Sequence, residues 1–186
     1  MNKDRIPKFR ETKAIASASL LLHLSGGKCD KYWLNKVMYY LERDCLLKTG
    51  QPMFFDEIYS IRHGPIVSAI NDGIDSAQNP EESKWGEHFA LQGNTLNLVK
   101  PADDCELSEF ETEIITEAFH KFEGWGFAKL QDYFHQLPET KHTESRVRLD
   151  YEDILQSNGA SEQQISEAIS EISYLTFLEN SLDCGK

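Results

Sequence analysis

Histidines and carboxylates are the residues of this chain whose chemistry could support a catalytic or metal-binding site. The six histidines stand at positions 23, 63, 88, 120, 135 and 142, and histidine is the most frequent general acid–base residue in enzymes. None of them belongs to an H-E-x-x-H metal motif, and the chain contains no G-x-S-x-G or phosphate-binding glycine pattern. We therefore predict that the protein is not an enzyme and has no catalytic, cofactor or metal site.

His63 is the most suggestive histidine because acidic and basic residues stand close to it in the sequence. Beside Asp56, Glu57 and Arg62, it could act as an acid–base group, a metal ligand or a contact for a partner. Arg62 could pair with Asp56 or Glu57, or it could present its guanidinium to a partner. In the structural alternative for His63, its ring packs at a turn and hydrogen-bonds a backbone carbonyl. We favour this structural interpretation over catalysis.

The cysteines and the hydropathy pattern indicate a cytoplasmic protein. The four cysteines, at positions 29, 45, 105 and 184, show no C-x-x-C spacing, so we expect reduced thiols rather than a zinc site. No stretch reaches the roughly 18 apolar residues of a membrane span. The longest candidate, Ala14 to Leu24, contains polar residues and lacks a signal-peptide cleavage pattern.

Charge is distributed unevenly along the chain. The first 48 residues carry ten Lys or Arg against five Asp or Glu, and the remainder carries nine against twenty-six, which gives the net charge of −12. An acidic body repels phosphate backbones, so we do not expect nucleic-acid binding without a partner. It would instead attract a basic protein. The alternative is that the charge serves only solubility.

The element that must position His63 is a long helix between Asp30, a predicted N-cap, and Gly50, a predicted C-cap. Pro52 then prevents continuation. The helix is apolar on nearly all sides, as is typical of a central buried helix. Its main face follows the i, i+3, i+4, i+7, i+11 spacing through Leu34, Val37, Met38, Leu41 and Cys45.

After this helix, the segment Met53–His63 is rich in aromatic and β-branched residues, which predicts an extended stretch or short strand. Gly64 and Pro65 are typical of an N-cap followed by the first residue of a helix. They therefore predict a third helix that runs to about Asn79.

A β-hairpin is predicted farther along, where apolar alternation flanks Gln92-Gly93-Asn94. It could form a small antiparallel sheet with Phe54–Ile61. Helices are predicted for most of the second half, beginning at a Ser108–Glu111 capping box and ending with a helix over 161–180. The sequence thus indicates one compact domain over 1–186, mainly α with α+β character, around a buried central helix.

The order and spacing of these motifs resemble the Panacea, or SocA-like, antitoxin domain. The resemblance covers about residues 15–155 and leaves the helix over 161–180 as an addition. A tryptophan that usually follows the closing motif is missing here. The motifs are Thr49-Gly50 with Pro52, then Phe55-Asp56-Glu57, then His63-Gly64-Pro65, and a closing set of Leu130, Phe134, His135 and Pro138.

This resemblance implies a bacterial or phage-associated antitoxin that binds a cognate protein toxin, and the acidic charge of the chain predicts that this toxin is basic. It implies two modes: direct neutralisation, or delivery of the toxin to a cytosolic protease. One alternative is an accessory protein that binds a different regulatory protein without a toxin. Another is an enzyme built around His63 and Asp56. We expect the partner to contact Asp56, Glu57, Tyr59, Arg62 and His63.

Overall fold

A computed structural model describes residues 6–79, 81 and 83–183 of the chain. This part of the chain contains eight α-helices and six short β-strands, which confirms the predicted mainly α fold with small antiparallel sheets. The helices are α1 (Glu11–Leu24), α2 (Lys31–Thr49), α3 (Ser68–Ser76), α4 (Lys84–His88), α5 (Glu109–Phe122), α6 (Phe127–His135), α7 (Tyr151–Ser157) and α8 (Glu162–Asp183). The strands are β1 (Lys28–Asp30), β2 (Ile58–Ile61), β3 (Gly64–Val67), β4 (Phe89–Gln92), β5 (Thr95–Leu98) and β6 (Val147–Leu149).

Helix α2 is the predicted central helix, and both of its predicted caps are confirmed. The Asp30 carboxylate accepts hydrogen bonds from the backbone N–H groups of Tyr32 and Trp33. Gly50 ends the helix with a φ of +78°, a left-handed conformation that glycine adopts without steric cost. Helices α1, α3, α5, α6 and α7 all contact α2. The core of the fold therefore surrounds it.

Three charged side chains of α2, Lys36, Glu42 and Arg43, are also buried, and each is held by a specific partner. Glu42 accepts the N–H groups of Phe54 (2.6 Å) and Asp56 (3.0 Å) and the hydroxyl of Tyr151 (2.8 Å). Burial raises the pKa of Glu42 to about 7. These bonds hold the chain after α2 close against the helix, with Phe55 at a φ of +57°.

A second buried network joins α2 to the segment after α6. Glu139 is 3% exposed and accepts the hydroxyl of Tyr39 (2.8 Å), the guanidinium of Arg43 and the amide of Asn158 (3.0 Å). Burial alone would raise the pKa of Glu139, but the bonds from Arg43 and Tyr39 lower it below its usual value. The network fixes α2 relative to α7, whose C-cap is Asn158.

Two three-stranded sheets replace the single sheet that the sequence suggested. The predicted hairpin, β4–β5, is confirmed, but it pairs with β1 and not with the Phe54–Ile61 segment. Strand β2 pairs instead with β3 and with β6, in the order β3-β2-β6. The third strand of each sheet is only three residues long, so its sequence carries little strand signal.

The helix predicted to start at Gly64 and Pro65 was wrong in its position. These residues begin strand β3, and the helix starts at Ser68. Gly64 has a φ of +88° and closes a two-residue turn between β2 and β3. Pro65 is tolerated because β3 is an edge strand, where a missing N–H costs no ladder bond.

Among the described residues, Cys29, Cys45 and Cys105 form no disulfide. Cys184 lies outside the described residues. Cys45 is buried in the core, as predicted, and its burial raises the pKa of its thiol to about 12. A thiol with so high a pKa is unreactive at neutral pH.

Candidate partner-binding surface

The five predicted contact residues lie in three different places. Asp56 is in the interior, only 4% exposed. Its carboxylate accepts the N–H groups of Glu57 (2.6 Å), Ala69 (3.1 Å) and Ile70 (3.0 Å). Burial raises the pKa of Asp56, although these bonds oppose the shift. Because two of them satisfy the free N–H groups in the first turn of α3, Asp56 stabilises that helix and offers no surface to a partner.

Glu57 and Tyr59 lie on the outer face of the β3-β2-β6 sheet. The guanidinium of Arg146 lies 3.6 Å from the centre of the Tyr59 ring, and Arg148 lies 3.5 Å from Glu57. The Tyr59 hydroxyl donates to Glu57 at 3.2 Å. This face is therefore a set of mutually paired charges and aromatics, in which β6 supplies Arg148 and the residue just before β6 is Arg146.

Arg62 and His63 are exposed in the β2–β3 turn. Arg62 lies 3.7 Å from Glu144, so it does not make the pair with Asp56 or Glu57 that was one of its two predicted roles. The Nδ1 atom of His63 lies within hydrogen-bond distance of the Gln131 amide (3.1 Å). The expected bond from its ring to a backbone carbonyl was thus wrong.

The β2–β3 turn is held against the neighbouring helices on two sides. The hydroxyl of Tyr32 donates to the His63 carbonyl at 2.9 Å, and the His63 ring meets the Phe127 ring edge-on with centroids 5.7 Å apart. Tyr32 lies in the first turn of α2 and Phe127 in the first turn of α6. The turn is therefore fixed where these two helices begin.

Lys36 also holds the β2–β3 turn, from the interior of the fold. Its ammonium group is buried and donates to the carbonyl of Pro65 at 2.7 Å, and burial lowers its pKa to about 7. A Cβ atom on Gly64 would lie only 3.3 Å from this ammonium and 3.1 Å from the ring of His135. The backbone of the turn thus sits directly on these two side chains.

Beside the turn is an open aromatic groove with a volume of about 620 Å³. Phe127 is 51% exposed on one side of it, and its ring centroid lies 4.6 Å from that of Tyr32. Lys129 lies 3.8 Å above the Trp125 ring. The residues that line the groove are Asp30, Lys31, Tyr32, Trp33, Asn94, Trp125, Gly126, Phe127 and Leu130.

The groove combines aromatic walls with a polar rim, which is the composition of a site for side chains of another protein. Trp33 is held in place because its indole N–H donates to the Phe122 carbonyl at 2.9 Å. The described residues bring no group of three or more His, Cys, Asp or Glu side chains together for a metal ion.

Sequence reasoning found the turn at this surface but missed the groove. The signal that could have found it is Gly124-Trp125-Gly126, because a tryptophan between two glycines is typical of an aromatic side chain presented on a loop. Tyr32 and Phe127 lie far apart in sequence, and only the packing of α6 on α2 brings them together.

The region containing the turn and most of the groove carries the signature of a known family. The family model described as antitoxin SocA-like, Panacea domain, matches residues 34–139, more than half of the chain. The chain belongs to the SocA-like antitoxin family. The match includes His63, Trp125 and Phe127, and it leaves α8 outside.

No curated protein and no solved structure matches the chain. Across the described residues, no helix is both long enough and apolar enough to cross a membrane.

Proposed function

We propose that the chain is an antitoxin that neutralises a cognate protein toxin by direct contact, without catalysis of its own. The contact surface is the aromatic groove together with the β2–β3 turn that borders it. Family membership supports the antitoxin role. The observation that carries the choice of surface is Phe127, a large aromatic ring left half exposed between Tyr32 and His63.

The physical case rests on preorganisation. Binding costs less when the contacting side chains are already fixed, and here Tyr32, Lys36 and Gln131 hold the turn before any partner arrives. Aromatic residues in such a setting contribute most of the binding energy of protein interfaces. The toxin would cover an area of about 800 Å² on each partner.

The first experiment is to co-express the chain with the product of its neighbouring gene and to score growth and co-purification. Rescue of growth together with a stable complex supports the proposal. Absence of both rescue and complex overturns it. A toxin that disappears faster only when this chain is present, with no stable complex, would favour the protease-adaptor mode and overturn neutralisation by direct contact.

The second experiment assigns the surface. We expect Phe127→Ser to weaken toxin binding at least tenfold, the loss of about 1.4 kcal/mol expected of an aromatic anchor. Val99→Ser is the matched control because Val99 is an exposed apolar residue (64%) outside the groove. Equal affinities of both variants and the wild-type protein, with unchanged melting temperatures, would rule out the groove.

His63→Ala separates binding from the enzyme hypothesis. We expect a modest loss of affinity because the ring contributes contact area beside Phe127. Neutralisation should persist once the variant is supplied in excess. Loss of neutralisation with full toxin affinity would instead indicate chemistry at His63.

A further inference from the structure

Helix α8 has an apolar outer face that no contact within the described residues covers. Its inner face packs on the rest of the fold through Ala168, Ile172 and Thr176, which are all buried. Its outer face leaves large apolar side chains in solvent, with Tyr174 at 60%, Phe177 at 65% and Leu182 at 75% exposure. Contiguous exposed apolar residues are uncommon on monomeric proteins and mark binding sites.

One row of residues along the outer face of α8 has an acidic N-terminal half and an apolar C-terminal half. Residues 167, 171, 174, 178 and 182 follow the i, i+4, i+7, i+11, i+15 pattern of one helical face. Glu167 and Glu171 form the N-terminal half of this row, and both are exposed. Tyr174, Leu178 and Leu182 form the C-terminal half.

A shallow depression adjoins the acidic half where α8 packs on the end of α2. Its volume is about 270 Å³, and Glu167 and Glu171 stand on its α8 side. Leu155 and Ala168 contribute apolar surface, and Ala168 lies at van der Waals distance (3.5 Å) from where a Cβ on Gly50 would be. Lys48 also lines the depression, and its charge is paired with Asp44 at 2.9 Å. An apolar side chain with a basic neighbour would fit this arrangement.

The charge of the C-terminal region indicates which kind of partner can bind the outer face of α8. Between Arg148 and Lys186 the sequence has eight acidic residues and no lysine or arginine. A second copy of α8 would bring like charges together, and an anionic membrane would be repelled. A cationic amphipathic partner would be attracted by the acidic residues and would bury the apolar ones.

We propose that the outer face of α8 binds a basic amphipathic helix of the toxin. This inference rests on the proposed antitoxin function but assigns a different surface from the groove. The groove lies where α2 begins, and α8 packs against Gly50, where α2 ends. An α-helix of 19 residues spans about 28 Å, so the two surfaces are separate contacts.

The test uses the full chain and two pairs of substitutions. We expect Tyr174→Ser/Phe177→Ser to raise the dissociation rate of the toxin and to weaken binding at least tenfold. Glu167→Gln/Glu171→Gln should slow association and weaken binding severalfold. All four side chains are exposed, so the melting temperature should not change.

Glu109→Gln/Glu113→Gln is the matched control. It removes two exposed glutamates at the same i, i+4 spacing from α5, so it changes net charge equally without touching α8. Equal effects of the two glutamine pairs would show a general charge effect and overturn the proposal.

A peptide probe makes the test independent of the toxin. A short amphipathic helix of leucine and lysine should bind the wild-type chain and lose affinity in both α8 variants, while a leucine–glutamate helix should not bind. If co-expression shows no antitoxin activity but the peptide result holds, only the proposed function fails. If the toxin binds all α8 variants at wild-type affinity, or if the α8 substitutions abolish a homodimer, the α8 proposal fails.

Discussion

At the scale of single residues, the fold depends on charged groups placed where an apolar residue would be expected. Lys36, Glu42 and Arg43 all lie on the central helix, and all are buried. Each one replaces its hydration with bonds to segments distant in sequence, which fixes the position of those segments against α2. Buried ionic groups contribute little net stability, and we infer that these specify one arrangement of the surrounding elements.

The Arg43–Glu139 pair gives the first prediction. Glu139→Gln should lower the free energy of unfolding by about 3 kcal/mol, because it leaves the buried guanidinium of Arg43 without its counter-charge. Urea denaturation followed by circular dichroism measures the change.

A double-mutant cycle provides the control for this pair. In Arg43→Met/Glu139→Gln, the uncompensated charge is gone, so the loss should be smaller than the sum of the two single losses. Strict additivity would show that the two side chains act independently and would contradict the network.

Lys36 gives a prediction about pH. Its pKa is lowered from 10.5 to about 7 in the folded protein, so between these values the unfolded chain binds the proton and the folded chain does not. Stability should therefore rise with pH across this window, by up to about 1.4 kcal/mol per pH unit. Lys36→Met should remove this rise, which urea denaturation at about pH 7.5, 8.5 and 9.5 would detect.

The difference between wild-type protein and Lys36→Met isolates this effect, since the other buried titrating groups are common to both. Glu42 does not interfere, because its raised pKa affects stability only below about pH 7 and with the opposite sign. Lys28→Met, at an exposed lysine, is the control and should leave the slope unchanged. A wild-type slope in Lys36→Met would show that the ammonium keeps its proton.

At the scale of elements, the sequence predicted what local interactions decide. The caps of α2 at Asp30 and Gly50 and the capping box of α5 at Ser108 depend on residues within one turn, so their types reveal them. Strand β3 was missed because Gly64-Pro65 suits both a helix start and a turn into an edge strand. In the structure, the extended form is held by pairing with β2 and by Lys36, a distant residue that donates to the Pro65 carbonyl.

The candidate site could also be predicted from the sequence only in part, and for the same reason. Arg62 and His63 could be found because they stand in a recognisable motif, whereas Asp56, from the same motif, is buried under α3. Whether a residue faces solvent or a helix end depends on pairing between strands such as β2 and β6, nearly ninety residues apart. Neither composition nor periodicity carries that information.

The docking of the β2–β3 turn on α2 and α6 gives a prediction at this scale. Gly64→Ala should destabilise the protein by about 2 kcal/mol, because a residue with a side chain is strained at a φ of +88° and its Cβ would press on Lys36 and His135. Gly93→Ala is the control, since Gly93 also has a positive φ but faces open space. It should cost about 1 kcal/mol, the backbone strain alone. Equal losses in the two variants would show that the turn does not rest on these side chains.

At the scale of the whole molecule, an aromatic groove and an acidic amphipathic helix lie at opposite ends of the central helix. The groove belongs mostly to the region that the family shares, and α8 lies beyond it. We propose that the groove supplies a contact common to the fold and that α8 adds a contact suited to one partner. The negative charge of residues 49–186 then acts on both, because it draws a basic protein towards the molecule before either contact forms.

This charge gives the last prediction, which rests on the proposed function. The association rate of the toxin should fall at least tenfold between about 0.05 M and 0.5 M salt, because the Debye length shrinks from about 14 Å to about 4 Å and the long-range attraction is screened. The dissociation rate should change little, since the closest contacts are apolar. Stopped-flow or surface-plasmon measurements separate the two rates.

Phe127→Ser should raise the dissociation rate and keep the salt dependence of association, because the substitution removes a contact without changing charge. An association rate that does not respond to salt would contradict a basic partner, and with it the assignment of α8.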